Sequence, residues 1–450
     1  MSGTKNKEYQ MQNKVIEERA ARTKWFMDAR FGMFIHWGLY AIPARGEWVR
    51  SSERMPQEDY LHYFNEFSAK EYQPREWARL AKKAGMKYAV LTAKHHDGFC
   101  LWDTALTDFK ATNTPAKRDL VKEYLEAFRA EGLKVGLYFS IIDWRHPDFP
   151  HYGDRQHPMR DNKDYGNENR NFNRYLEFMH GQVRELLTGY GNLDIMWFDF
   201  SYGDMAGETW KATELMQMVR TLQSNLIVDN RLEGSGENSG TILSANPSIF
   251  AGDFSCPEQM IPPEGIRNEL GDPVPWEACI TLNNHWGYCS TDQHWKPADM
   301  VIRMLVECVS KNGNLLLNAG PDAKGRIPRA SAEILEAVGR WLDDNGESIY
   351  GCGAAGIDKP EWGRFTCKGD KLYAHIYEPQ TGGLCLPNLA RKIKKLRLLA
   401  DGSEIQVVKH WNLVEYPQHT FFFLNPWSSD NYPLPDPKDT VVEVELLHFV

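Results

Sequence analysis

Between Phe31 and about Ala319 the sequence alternates short apolar runs with amphipathic stretches of helical period, an order that few folds accept. Phe31–Ile35, Tyr88–Thr92, Val135–Ser140, Ile195–Phe200, Leu226–Val228 and Leu315–Asn318 are the strand candidates, spaced as repeated strand–helix units require. Between them, Leu120, Val121, Tyr124, Leu125 and Phe128 fall on one face of a helix ending near Gly132. Val301, Ile302, Leu305, Val306 and Val309 repeat that pattern, with Pro297 before them and Gly313 after. Such an order leaves a doubly wound sheet or a closed barrel. A dinucleotide fold needs an early glycine-rich turn that opens a helix, whereas Gly234-Ser235-Gly236 comes late and no strong helix follows it. The expected fold class is α/β, a (β/α) TIM-like barrel.

After Ile349-Tyr350-Gly351 the runs shorten. Leu372–Tyr377, Leu396–Leu399, Ile405–Val408 and Val441–Leu447 alternate between Gly, Pro and Asn, as in a small C-terminal antiparallel β-sandwich. A chain of 450 residues exceeds what one hydrophobic core usually serves. Two domains are expected, a catalytic barrel over 1–350 and a sandwich over 351–450.

The net charge of −9, with no concentrated basic patch, argues against a nucleic-acid partner. No apolar run approaches the ~20 residues of a membrane span. Met1 to Ala20 are polar and charged, without the apolar centre of a signal peptide, so a cytoplasmic protein with no membrane partner is expected. A secretion signal already removed would leave the same sequence. The eight cysteines lack CxxC spacing and are expected to be free thiols rather than zinc ligands or a disulfide framework.

Polar residues stand at the ends of the strand candidates. His36 closes the first, His95 and His96 follow the second, Tyr138 lies near the end of the third, Asp199 ends the fourth, and Asn230 and Arg231 follow the fifth. In a barrel the C-terminal ends of all strands open on one mouth, so these residues would share a cleft. Asp199 directly follows the run Ile195-Met196-Trp197-Phe198, where a carboxylate is costly unless paired or placed in a functional cavity. A salt-bridged rim aspartate is the blander alternative. His95 and His96 are neighbours with none of the spacing of a helical metal motif, so a metal is disfavoured and hydrogen bonding to a polyhydroxylated ligand preferred. Trp48, Trp197 and Trp286 add flat apolar faces of the kind that pack on a sugar.

Glycoside hydrolysis needs one ionised carboxylate at the anomeric carbon and one protonated carboxyl at the departing oxygen. Asp199 is the candidate nucleophile. Glu258, in Ser255-Cys256-Pro257-Glu258-Gln259, is the candidate acid/base, with loop residues Glu277 of Trp276-Glu277 and Glu47 of Gly46-Glu47-Trp48 as rivals.

Several stretches occur together: Arg30-Phe31-Gly32-Met33-Phe34-Ile35-His36-Trp37-Gly38, Gly46-Glu47-Trp48, Ala93-Lys94-His95-His96-Asp97-Gly98-Phe99, Trp197-Phe198-Asp199, Pro257-Glu258-Gln259, Trp276-Glu277, Trp286-Gly287-Tyr288 and Asn314-Leu315-Leu316-Leu317-Asn318. In this order, over roughly residues 20 to 345, the chain resembles the α-L-fucosidases of glycoside hydrolase family 29. The resemblance implies an N-terminal barrel, a C-terminal sandwich, a retaining double displacement and no metal or organic cofactor. Its implied partner is a terminal α-L-fucose on an oligosaccharide or glycoconjugate. Carried over by position, Asp199 is the nucleophile, His36, Glu47, Trp48, His95, His96 and Tyr138 line the fucose subsite, and Arg231 matches a positioning arginine. Glu258 carries over less directly, because the loop Glu233–Gly240 separates it from Asp199.

The alternatives are a related glycosidase acting on α-L-galactosides and a catalytically weak fucose-binding protein. For the C-terminal region, sugar binding through Trp362, Trp411 or Trp427 competes with a packing role, and a homo-oligomer is left open.

Overall fold

A computed structural model of the chain describes residues 2–235, 238–407, 415–425 and 431–447, with side chains from residue 16 onward. Seven strands form one wholly parallel sheet: β1 (Phe31–Ile35), β2 (Tyr88–Lys94), β3 (Lys134–Ser140), β4 (Ile195–Asp199), β5 (Ile227–Val228), β6 (Trp276–Thr281) and β7 (Gly313–Ala319). Their order is β5-β4-β3-β2-β1-β7-β6.

The period-two geometry of a strand sorts their side chains onto two faces. Met33, Leu91, Leu137, Met196, Ile280 and Leu317 point outward and join one large core with the helices, including Leu120–Ala130 and Ala298–Val309. Phe34, Val90, Tyr138, Trp197, Cys279 and Leu316 point inward and form a second cluster. The sheet is therefore curled around its own interior. Trp25 and Phe26, from the helix Ser2–Ala29, close the lower end of that interior, with Phe26 4.7 Å from Phe254 and 5.5 Å from Tyr88.

The expected barrel is met only in part. Among the described residues no strand ladder joins the edges β5 and β6. The segment 253–259 spans the gap by isolated bridges, Asp229 to Phe254 on one side and Ser255 to Trp276 and Glu258 to Cys279 on the other. Pro257 cannot donate to a ladder, which is one reason the pairing stays irregular. Asp253 anchors this segment: its buried carboxylate accepts from Val228 N and pairs with Arg22 and Arg220 at 2.9 and 2.6 Å.

Trp276-Glu277, expected in a loop, lies inside the fully buried strand β6. The charged residue hides the strand's apolar pattern, and Glu277 is accommodated there by the Tyr88 hydroxyl, which donates to it. Gly313 does not end the preceding helix. Asn312, at φ +63, makes the left-handed turn, and Gly313 begins β7 where an added Cβ would lie 2.2 Å from the Trp276 ring.

Beyond the parallel sheet, β8 (Gly353–Ala354), β9 (Gly363–Lys368), β10 (Lys371–Ile376), β11 (Leu384–Leu386), β12 (Ile393–Leu398), β13 (Thr420–Phe422) and β14 (Thr440–Leu446) form two antiparallel sheets. Five strands run in the order β12-β14-β10-β9-β8, and β11 pairs with β13. Leu372, Val442, Leu384 and Phe422 put both sheets on one shared core. Ile405 to Val407 form no strand, only one bridge at Val407, and Val408 lies outside the described residues. Trp362 is buried in this core with its Nε1 donating to Cys385 O, which leaves no open face for a sugar. Trp411 and Trp427 lie outside the described residues. The antiparallel region is fixed to the parallel one by the forked Arg364–Glu307 pair, at 2.6 and 2.7 Å, and by Trp341 Nε1 donating to Asp439 O.

Candidate active site

Strand parity aims the site. In β4, Ile195 and Trp197 face the interior, so Asp199 does too; the same count brings Tyr138 of β3, His36 after β1 and Asn318 of β7 to the same side. They open into a cavity of about 260 Å³ at the C-terminal ends of the strands. Its walls include His36, Trp48, His95, His96, Tyr138 and Trp197, together with Asp199, Arg231, Glu258 and Trp286.

Asp199 is held from two sides, by Tyr138 and Arg231, and faces His96 on a third. The Tyr138 hydroxyl donates to Oδ2 at 2.7 Å, Arg231 Nη1 lies 3.5 Å from Oδ1, and His96 Nε2 lies 3.9 Å from Oδ2. The same guanidinium donates through Nη2 to Glu258 Oε2 at 3.0 Å and to Cys256 O at 3.1 Å. One buried cation therefore joins both carboxylates. Their exposures differ: the Asp199 side chain is 15% accessible and that of Glu258 37%. Burial lifts the Asp199 carboxyl to about 6, with Arg231 opposing, Glu258 adding to the rise and the Tyr138 bond opposing.

Burial keeps the three histidines neutral. Burial pushes His36 down to about 3 and His95 and His96 well below the ordinary range. Asn318 Nδ2 donates to Trp286 O at 2.7 Å, so its Oδ1 accepts, and His36 Nδ1, 2.7 Å away, must carry the proton. Ser140 spends its hydroxyl proton on Ile142 O at 2.8 Å, so His96 Nδ1 donates to Ser140 Oγ at 2.7 Å. In both rings Nε2 is left with a lone pair, and that of His96 faces the Asp199 carboxylate. Two acceptors so placed favour a hydroxyl donor between them.

Two rivals for the acid are set apart from the cavity. Glu277 lies low in the interior beside Tyr88, lifted to about 8 by burial. Glu47, expected on the sugar subsite, is buried behind the wall, where its Oε2 accepts from Gly287 N at 2.8 Å and supports the turn carrying Trp286. Burial raises its carboxyl, with the Gly287 bond opposing.

Residues 1–347 match the family model for alpha-L-fucosidase. The chain belongs to that family. It is similar to the tissue alpha-L-fucosidase of Mus musculus, 29% identical over 427 residues that cover 88% of this chain and 87% of the relative. Among solved structures it is similar to alpha-L-fucosidase isoenzyme 1 from Paenibacillus thiaminolyticus, with a TM-score of 0.92, 60% identity and coverage of 95% of this chain and 99% of that one. It is also similar to a GH29 alpha-L-fucosidase from Bacteroides thetaiotaomicron, trapped as a covalent intermediate with 2-fluoro-fucosyl fluoride in a Glu-to-Gln mutant. That match has a TM-score of 0.80 and 28% identity and covers 95% of this chain and 96% of the other.

In this family member, sequence reasoning missed a backbone feature shared by both carboxylates. Each is followed by a non-glycine residue in the left-handed region, Phe200 at φ +92 after Asp199 and Gln259 at φ +53 after Glu258. Such conformations persist where surrounding contacts enforce them. The Phe200 ring packs against His96 at 4.7 Å and Trp48 at 5.4 Å, and Gln259 Nε2 donates to Thr281 Oγ1 at 3.0 Å. The open rim was also missed, where Arg155, Gln156, Tyr202 and Ser235 come from three separate loops. Only the unusual Phe200-Ser201-Tyr202-Gly203 run hinted at it.

Proposed function

We propose that the chain is a retaining exo-α-L-fucosidase in which Asp199 is the nucleophile and Glu258 the acid/base. Asp199 attacks the anomeric carbon as the glycosidic C–O bond breaks and Glu258 gives its proton to the departing oxygen. Water then attacks the same carbon, returning a proton to Glu258 and freeing Asp199. The observation that carries this reading is Arg231 between two carboxylates of unequal exposure. It keeps the pinned Asp199 ionised, while the more exposed Glu258 has room to leave the guanidinium and turn to the leaving oxygen. The covalent intermediate trapped in the Bacteroides thetaiotaomicron relative, in a Glu-to-Gln mutant, supports the same pair of roles.

The small cavity suits one terminal sugar rather than a chain running through. His36 and His96 offer lone pairs to hydroxyl groups, and Trp197 and Trp286 supply apolar walls for a ring with a methyl substituent. In the same reading the segment 253–259 acts as the eighth stave of a (β/α) barrel over residues 1–350, and the two antiparallel sheets make a buttressing sandwich over 351–450.

The test is an assay of wild type and Asp199→Ala on an aryl α-L-fucoside and the matching α-L-galactoside, with azide added to the variant. Preference for the fucoside, loss of turnover in the variant and azide rescue with inverted product stereochemistry are expected. A variant with full turnover would remove Asp199 from its role, and a wild type that ignores the fucoside would remove the sugar.

A further inference from the structure

The cavity has two ends of different character. Its closed end is made of His36, His95, His96, Tyr138 and Trp197, all buried. Its open end, on the side of the partly exposed Glu258, is formed by Arg155 and Gln156 with Tyr202 and Ser235. If the terminal sugar fills the closed end, its leaving group passes between these rim residues.

Gln156 is held there with unusual completeness. Its N–H donates to Asp154 Oδ1 at 2.9 Å, as does the N–H of His157 at 2.7 Å. Its carbonyl accepts from Ser51 Oγ at 2.6 Å and from Arg160 Nη1 at 3.0 Å. The other Asp154 oxygen, Oδ2, accepts from the Tyr202 hydroxyl, which ties this loop tip to the segment following Asp199. His157 below it is stacked on His151 at 3.9 Å and hydrogen-bonds through Nε2 to Trp144 O at 2.9 Å. The N–H and carbonyl of Gln156 are thus both committed, yet among the described residues its side-chain amide has no hydrogen-bond partner. A primary amide offers two donors and two acceptor lone pairs, which matches vicinal sugar hydroxyls and offers an aryl ring at most a weak N–H···π contact.

We propose that Gln156 is the leaving-group specificity residue, its amide hydrogen-bonding hydroxyls of the sugar to which fucose is attached. Tyr202 is the positioning residue that keeps the tip in register with Asp199 through Asp154. The inference rests on the fucosidase reading and deepens it: the preferred substrates are fucosides of polyhydroxylated sugars rather than of apolar aglycones.

The test compares kcat/KM on the best-cleaved fucosyl-lactose isomer with kcat/KM on an aryl α-L-fucoside, for wild type, Gln156→Met and Tyr202→Phe. Gln156→Met keeps the side-chain length and removes its polar atoms. The ratio of oligosaccharide to aryl kcat/KM is expected to fall about 3- to 10-fold in Gln156→Met, as the loss of one or two hydrogen bonds gives, and to fall less in Tyr202→Phe. A ratio unchanged in Gln156→Met overturns the inference. So does a wild type that cleaves the aryl fucoside but none of the fucosyl-lactoses, and both results leave the fucosidase reading standing. A wild type inert on the aryl fucoside and on every fucosyl-lactose removes that reading, and the inference with it.

Discussion

The Tyr138 hydroxyl donates to Asp199 Oδ2 at 2.7 Å across the neighbouring strands β3 and β4. The bond holds the carboxylate in place and favours its ionised form, against the burial that lifts it to about 6. In the proposed role Asp199 attacks in that ionised form, so activity should fall as pH drops through this value. Tyr138→Phe should lower kcat/KM about 10-fold or more, as for a hydrogen bond to a charged group. It should also move the acid limb of the kcat/KM profile to higher pH. A limb that stays in place would show that the hydroxyl does not act on the nucleophile.

Arg231 opposes the same rise by charge. Arg231→Gln should move the acid limb further up than Tyr138→Phe does. Arg231→Lys keeps the charge but loses the fork that reaches Asp199 and Glu258 together. It should leave the limb nearer the wild-type position while lowering kcat by roughly 10-fold or more. Parallel pH profiles of the two variants check this; equal shifts would contradict it.

Glu277 gives a prediction of opposite kind. Burial raises it to about 8, so it is protonated in the folded protein at neutral pH and Glu277→Gln is nearly isosteric with that form. The folded state binds a proton there that the unfolded state has lost above its ordinary pKa near 4.5. Wild-type stability therefore declines between that value and about 8, and Glu277→Gln should lack this component. Thermal unfolding midpoints across the range should separate by several degrees at the upper end, with turnover within about 2-fold of wild type, as for a change away from the reacting groups. A large loss of turnover would place Glu277 in the chemistry.

Phe200 occupies φ +92, where a glycine would be unstrained. Phe200→Gly and Phe200→Ala both lose the ring contacts with His96 and Trp48, but only the alanine keeps the strain. The glycine variant should be the more stable of the two by about 1 kcal/mol. Both should have lower kcat than wild type. Denaturant unfolding of the pair decides it, and an alanine variant at least as stable would show that the conformation costs little.

Much of the site was legible because strand ends are legible. An apolar run that stops on His36 or Asp199 carries both the strand and the direction of its last side chain, and parity does the rest. Glu277 shows the reverse: a carboxyl in the middle of β6 makes a buried strand look like a loop, and only its three-dimensional partner Tyr88 explains it. The floor was not foreseen either, since the helix Ser2–Ala29 is polar along most of its length and, among its described side chains, those that join the interior cluster, Trp25, Phe26, Met27 and Ala29, all lie at its C-terminal end. The segment 253–259 has no strand periodicity, because its order comes from Asp253 and from β6 rather than from its own pattern. Gln156 could not be found by composition, since what distinguishes it is a backbone fully engaged and a side chain left over.

The packing of Phe26 on Phe254 and Tyr88 bears on the order of events in turnover. A cavity closed below has one door. On the proposed double displacement the leaving group must clear it before water can reach the glycosyl-enzyme, and a fucose seated at the closed end departs last. Product fucose should then compete directly with substrate, whereas a leaving group that lingers, or another sugar that takes its place, meets the covalent intermediate and can receive the fucosyl group in place of water.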